Sequence, residues 1–256
     1  MALTRRSCTQ GVTTADTQID TLAFPTNPVS GDTIVVFMST FASGGNTSQA
    51  PTDNKSNTYT QIGTTTTILA GTVGLSLWYS SNITGGSSFM VTGHVSATAT
   101  VTVIATCLAG TAVPTSYNSD SVSATSAGGA NPSIGPTTPA PAANSYFIAA
   151  VCKGGTGVAT AGSGWQFYTN STQTNNATLQ DLYVEELTTT TASVVKTALF
   201  TNASEAWTGR IASFAPLVSA SAVLTGTAVG GITEANVVAG GKVITITLTG
   251  DTFIPS

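Results

Sequence analysis

Short apolar runs rich in Val, Ile, Thr and aromatic residues recur along the chain, with Gly, Pro, Asn and Ser clusters between them. Runs of this length and spacing are strand signals, and their repetition at short intervals is the pattern of a sandwich or barrel. The predicted strands of the first half are Gln18–Phe24, Thr33–Phe41, Thr58–Thr64, Gly74–Tyr79, Ser88–Val95 and Val101–Ala109. A second group follows at Ser145–Lys153, Trp165–Thr169, Ala177–Glu186, Ser193–Phe200 and Thr208–Ala215. No stretch carries the 3.6-residue apolar period of an amphipathic helix.

The two groups resemble each other. Asp32-Thr33-Ile34-Val35-Val36-Phe37 reads like Asn144-Ser145-Tyr146-Phe147-Ile148-Ala149, 112 residues on. Asn57-Thr58-Tyr59-Thr60-Gln61 matches Ser163-Gly164-Trp165-Gln166-Phe167 at a spacing of 106. Leu77-Trp78-Tyr79 matches Asp181-Leu182-Tyr183 at 104, and the strand ends Cys107–Gly110 and Ser213–Pro216 match at 106. The polar stretch Ser43–Asn54 is the longer first-half loop that such a change of spacing needs. Internal similarity of this kind predicts a duplicated unit. Neither half buries its apolar face alone, whereas two sheets packed face to face do. The expected fold is therefore all-β: a jelly-roll-like β-sandwich over residues 1–216, made of two pseudo-repeated halves, 18–110 and 144–216. Residues 111–143, with Ala127-Gly128-Gly129-Ala130 and the prolines Pro132, Pro136, Pro139 and Pro141, are read as an extended linker, although Ser119–Thr125 has strand character.

Residues 217–256 form a short C-terminal β segment, a partial Ig-like module or an extension arm. It contains a strand at Ala222–Ala228 and an alternating one at Val243–Thr249. Two or three strands are marginal alone, so a neighbour is expected to complete this segment by β-augmentation.

Composition narrows the function. Charged residues are 7% of the chain and the net charge is −4, with Thr, Ser, Asn and Gly supplying the polar surface. The basic residues are scattered, so no patch neutralises a run of phosphates and no nucleic acid is expected as a partner. No apolar run reaches the roughly 18 residues of a membrane span. Met1–Cys8 leads into polar sequence without an apolar h-region, so no secretory signal is expected.

Candidate chemistry is sparse. The cysteines Cys8, Cys107 and Cys152 have no metal or redox spacing. Cys107 and Cys152 lie in apolar runs and are either buried free thiols or a bridge. The single histidine, His94, lacks a G-x-S-x-G partner. Glu185 and Glu186 are adjacent in a strand and point to opposite faces, so they do not make a carboxylate pair with each other. Asp181, Glu185 and Glu205 meet only if the fold brings them together. In Asp53-Asn54-Lys55-Ser56-Asn57, the oxygens of Asp53 and Asn57 suit either an Asx turn or a calcium loop. Trp165, with Trp78, Trp207, Tyr79, Tyr168 and Tyr183, suits either core packing or a sugar-stacking platform. No cofactor is expected.

Several motifs carry a resemblance: Gly31-Asp32-Thr33-Ile34-Val35-Val36, Thr52-Asp53-Asn54-Lys55-Ser56-Asn57-Thr58-Tyr59, Leu77-Trp78-Tyr79-Ser80-Ser81-Asn82, and Gly164-Trp165 with Leu179-Gln180-Asp181. They resemble a β-sandwich domain that recurs in phage structural proteins and bacterial surface proteins. Ile232–Asn236, Gly240-Gly241-Lys242 and Leu248–Phe253 resemble a phage-type Ig-like module, here shorter than usual. The resemblance implies a non-enzymatic virion structural protein, such as a capsid decoration, head-fibre or tail-associated protein. Its partners would be capsid or tail subunits and further copies of itself, as a homo-oligomer such as a trimer. The alternative is a carbohydrate-binding or adhesive module of a bacterial surface protein, extracellular and bound to a host-surface glycan.

Overall fold

Several strands are apolar in unbroken runs rather than in alternation, which is the signature of strands buried on both faces. Thr33–Phe41 and Tyr146–Lys153 are buried almost end to end. A computed structural model describes residues 3–42, 48–69, 72–122, 131–137, 144–153, 160–168, 174–176, 180–188, 197–200, 206–216, 226–231, 235–239, 242–246 and 251–255. Residues 1–216 form one compact unit and 217–256 another.

The first unit contains β1 (Arg5–Asp20), β2 (Thr33–Phe41), β3 (Ser48–Asp53), β4 (Thr60–Gln61), β5 (Thr66–Ile68), β6 (Val73–Ser81) and β7 (Val91–Leu108) in its first half. Its second half contains β8 (Ala112–Val122), β9 (Ser133–Ile134), β10 (Tyr146–Lys153), β11 (Gln166–Phe167), β12 (Thr174–Asn176), β13 (Gln180–Thr188), β14 (Ala198–Leu199) and β15 (Trp207–Pro216). The strand order of the first sheet is β1-β7-β2-β6-β4, with β5 on β6 and β3 on β7. That of the second is β8-β15-β10-β13-β11, with β12 on β13. All pairings are antiparallel. Each sheet is thus drawn from one half of the chain, and six strands of the first have counterparts in the same order in the second; β3 has none there, and β9 and β14 pair as a separate two-stranded sheet. The all-β sandwich expected from the sequence is present.

The ladders fix how the halves correspond. Val35 faces Tyr79 and Thr106 across its neighbours, while Ile148 faces Glu186 and Ala212. Val35 therefore corresponds to Ile148, Tyr79 to Glu186, and Ile104 to Arg210. The spacing of 106 holds for Tyr59/Trp165 and for the last strands. The spacings of 112 and 104 become 113 and 107. The reason is parity: side chains alternate faces, so an even shift in place of an odd one moves each residue to the wrong side of the sheet. Gly31 and Asn144, both with positive φ, mark the same corner before β2 and β10.

Three apolar layers result. Val35, Phe37, Leu75, Leu77, Ile104 and Leu108 meet Tyr146, Ile148, Ala150, Leu182, Val184 and Phe214 between the sheets. Ile34, Val36, Met38, Trp78 and Val103 point outward under a cover of Phe24, Tyr59, Ile83, Phe89 and Val91. Phe147, Ala149, Val151, Tyr183, Trp207 and Ile211 lie under Ile134, Trp165 and Phe200. Both outer faces are covered by their own half's loops, so every central strand sheds water on two sides.

Three boundaries differ from expectation. The first half begins at Arg5, not Gln18, because Arg5–Thr13 is a polar edge strand along Val101–Leu108. Ser88–Val95 and Val101–Ala109 are parts of one bent strand, β7, with exposed Ser96–Thr98 at the bend. Residues 111–143 are not only a linker, since Ala112–Val122 pairs along β15 as the counterpart of β1. Its Ser, Thr and Asn content hid it from an apolar-run search, and Pro114 is tolerated because the strand is an edge with a bulge opposite it. Residues 123–130 and 138–143 lie outside the described residues, as do 193–196 of the predicted strand Ser193–Phe200.

After β1 the chain turns back along it. Leu22 N–H donates to the Gln10 carbonyl at 3.0 Å, and the Thr9 hydroxyl donates to the Leu22 carbonyl at 2.7 Å. This strap shields part of an edge that would otherwise template aggregation. It fits only because residue 11 is glycine: a Cβ there would lie 2.5 Å from the Asp20 carbonyl oxygen. Gly11→Ala is expected to destabilise the sandwich by about 2 kcal/mol through overpacking against backbone, read as a lower denaturant midpoint.

In the second unit, β16 (Gly226–Gly231) pairs with β19 (Asp251–Pro255), and β17 (Ala235–Ala239) with β18 (Lys242–Ile246). The predicted strand Ala222–Ala228 lies partly outside the described residues. β17 lies between the two predicted strands, where the sequence pattern predicts none.

Candidate functional site

The Asp53–Asn57 loop is a turn whose oxygens are already occupied. Asp53 Oδ1 accepts the backbone N–H groups of Lys55 (2.9 Å) and Asn57 (3.1 Å). Oδ2 accepts Asn57 Nδ2 at 2.9 Å and the Tyr59 hydroxyl at 2.8 Å. Asn57 also ties the turn to Thr84, through the Thr84 N–H at 2.7 Å and its carbonyl at 3.1 Å. A calcium ion needs those carboxylate oxygens free, and here four donors point at them. The calcium reading of Asp53 and Asn57 is therefore corrected to an Asx-type turn. Among the described residues no cluster of three or more His, Cys, Asp or Glu side chains is placed to hold a metal. Asp53→Asn reverses the polarity of half the acceptor and is expected to cost about 2 kcal/mol, while millimolar calcium leaves the wild-type melting temperature unchanged.

Trp165 is corrected in the same way. It is 8% exposed and meets Phe147 edge to face at 6.5 Å, so its ring belongs to the outer core and offers no stacking face. Trp78, Trp207, Tyr168 and Tyr183 are likewise buried. Tyr79 alone of that group is partly exposed.

The remaining candidates do not converge. His94 Nε2 meets the Thr52 hydroxyl at 2.8 Å on β7, far along the first half from the glutamates. Glu185 points into the outer core of the second sheet, and Glu186 toward Arg5 at the sheet edge. The side chains of Asp181 and Glu205 lie outside the described residues. Cys107 sits in the outer core of the first sheet and Cys152 between the sheets, so they face different layers and are both free thiols.

The polar groups the sequence reading passed over organise the fold. Asp32, 1% exposed, accepts Arg6 Nε at 2.6 Å and Nη2 at 3.1 Å, Val29 N–H and Gly110 N–H at 2.9 Å each, and the Cys107 thiol at 3.3 Å. Burial pushes its carboxyl up, but Arg6, the two backbone N–H groups and the thiol outweigh it and hold the group below its ordinary range. At one edge of the sandwich Arg5 bridges the sheets. Its Nε pairs with Glu186 Oε2 at 3.0 Å, and its guanidinium lies 4.7 Å from the centre of the Tyr168 ring. The Tyr146 hydroxyl donates to the same Glu186 oxygen. Burial drives the hydroxyls of Tyr146 and Tyr168 well above their ordinary range, so both stay neutral.

The pseudo-symmetry gives this cluster a counterpart. Glu186 corresponds to Tyr79, Tyr168 to Ile62, and Arg5 to Pro114. At that opposite edge no ion pair closes the gap. Tyr79, Ile62 and Pro114, with Thr60, Gln61 and Thr115, instead line a half-open groove of about 250 Å³. The Tyr79 ring is held from beneath by Phe214 at 6.1 Å, edge to face. The groove combines an aromatic ring, a proline ring, an amide and hydroxyls, and no charged side chain lines it. This suits a small neutral polar ligand, with the Tyr79 hydroxyl as the ionisable group among its lining residues. It was legible only from the register that pairs Tyr79 with Glu186.

No family model, no curated protein and no solved structure matches the chain. The motifs behind the resemblance nevertheless have physical explanations in this fold. The Gly-Asp corner is the Asp32 hub, the Asp-x-x-x-Asn-x-Tyr turn is the Asp53 network, and Gly164-Trp165 caps the second outer core.

Proposed function

We propose that the chain is a non-enzymatic structural protein of a bacteriophage virion, a decoration, head-fibre or tail-associated subunit that binds other virion subunits. The observation that carries this reading is where its few charged groups go. Asp32, Arg6, Arg5, Glu186, Asp53 and Arg210 are engaged in holding turns and sheets together, and the described surface is mostly neutral Thr, Ser and Asn, with Asp16 and Asp20 among its few charges. A scaffold of this kind suits a protein selected for packing against neighbours. The resemblance to phage structural proteins points the same way, with capsid or tail subunits and further copies of the chain as partners. Mass spectrometry of purified particles tests it: the chain should be present at stoichiometric levels, and its absence from intact particles would end the reading.

The groove beside Tyr79 supports a second reading, a carbohydrate-binding or adhesive module of a bacterial surface protein, with Tyr79 rather than Trp165 as the stacking ring. Glycan-array binding lost in Gln61→Ala and Tyr79→Ala, with folding intact, would support it. Binding unchanged in both would remove it.

A further inference from the structure

Glu185 occupies a position that the duplicated fold fills with an apolar residue in its other half. Its counterpart across the ladders is Trp78, part of the first outer core. Glu185 is 0% exposed. Oε2 accepts the Gly162 N–H at 2.9 Å, and Oε1 has no hydrogen-bond partner. A buried carboxyl with one oxygen unsatisfied is costly, and far more so when ionised. The fold does not require it, since Trp78 serves the equivalent place.

What lies over Glu185 is thin. The segment Thr160–Tyr168 passes across the outer face of the second sheet. It is fastened there by the Gly162 contact, by the Trp165 N–H to the Gly162 carbonyl at 3.0 Å, by two ladder pairs to β13, and by the Trp165 ring on Phe147. Thr160, Ser163 and Gly164 are exposed. Lifting this segment is the shortest way to hydrate the carboxyl.

We propose that Glu185 is a protonation latch, holding the Thr160–Tyr168 cover closed while its carboxyl is neutral and releasing it when the carboxyl ionises.

The surroundings leave the charge without a counter-ion. Facing Glu185 across the ladders are Ala149 of β10 and Phe167 of β11, and the cover from 160 to 168 contains no charged residue. Among the described side chains the titratable groups on this outer face are Tyr183, two residues along β13, and Lys153 near the far end of β10, whose Nζ lies 5.5 Å from the Tyr183 ring; Asp181, at the start of β13, stands opposite Lys153 in the ladder. Glu186 and Arg5 are on the other side of the sheet. Burial therefore pushes the Glu185 carboxyl up to about 8, against a single opposing N–H from Gly162. A carboxyl whose folded value is raised contributes stability that is complete below its unfolded value, near 4.3, and lost as pH rises through the folded one. The latch is tightest in acid, loosens as pH rises toward about 8, and is fully released above it. Opening bares Trp165, Phe147 and Phe167.

Amide hydrogen exchange on the full chain tests this, with rates corrected for intrinsic pH dependence. Peptides covering 160–168 should lose protection by up to roughly tenfold per pH unit between about pH 5 and pH 8 and level off above it, while peptides in Thr33–Phe41 stay protected. In Glu185→Gln and Glu185→Met the cover should stay protected over the same range, the second variant restoring an apolar residue as at Trp78. PH-independent protection of the wild-type cover between about pH 6 and pH 9, or equal loss in both variants, would overturn the proposal.

Discussion

Arg210→Ala is expected to lower the free energy of unfolding by about 4 kcal/mol, and the melting temperature by roughly 10 °C for a domain of this size. Arg210 lies on the inward face of β15 and is 1% exposed. Its Nη1 donates to the Ile62 carbonyl at 2.7 Å and its Nε to the Leu75 carbonyl at 3.3 Å. A side chain of the second sheet thus satisfies backbone of the first, at the β4 edge where the ladder is too short to do so. Truncation removes charge-assisted hydrogen bonds, leaves buried carbonyls exposed to nothing, and opens a cavity between the sheets. Each loss alone costs about 1–3 kcal/mol. Arg210→Ile, which installs the residue of the counterpart position Ile104, keeps much of the volume and should lose about half as much. Calorimetry and urea titration measure both. An alanine variant within about 1 kcal/mol of wild type would mean that the guanidinium's desolvation cancels its bonds.

Arg210 also shows why the sequence revealed the fold more readily than the site. The apolar runs of β2, β6, β10 and β15 announce strands buried on both faces, and the Tyr59/Trp165 spacing announces the duplication. Both signals depend on patterns that water imposes on long stretches of chain. The edge strands β1 and β8 lack them, because an edge of Thr, Ser and Asn reads as loop until its ladder partner is known. Arg210 reads as one more surface cation until register places it opposite Ala150 and beside Ile62. The same holds for Glu185 and Tyr79: their meaning comes from what occupies the equivalent position in the other half. An error of a single residue in the repeat spacing is enough to hide that equivalence. Asp53 and Trp165, by contrast, were singled out for residue type alone, and both proved to be packing and turn residues.

Asp32→Ser is the second large effect, expected to cost about 3–4 kcal/mol near neutral pH. The carboxylate gathers donors from three places: Arg6 at the start of β1, Val29 before β2, and Gly110 after β7, with the Cys107 thiol as a further donor. Serine is the residue at the counterpart position, Ser145, where β8 offers no basic partner, so the fold accommodates its shape. What the substitution removes is the charge that three chain segments were built around. The pH dependence separates this from a general loss of packing. The Asp32 carboxyl is held below its ordinary value, so its contribution is complete above about pH 4 and lost as pH falls through the folded value. Wild-type stability should therefore decline in acid along a limb that Asp32→Ser lacks, and the two curves should converge as pH falls. Arg6→Ala should flatten the same limb only in part, since the backbone N–H groups and the thiol remain. Parallel acid limbs in wild type and Asp32→Ser would reduce the Arg6–Asp32 pair to an ordinary surface ion pair, worth little, and leave Gly110 and Val29 as the contacts that matter.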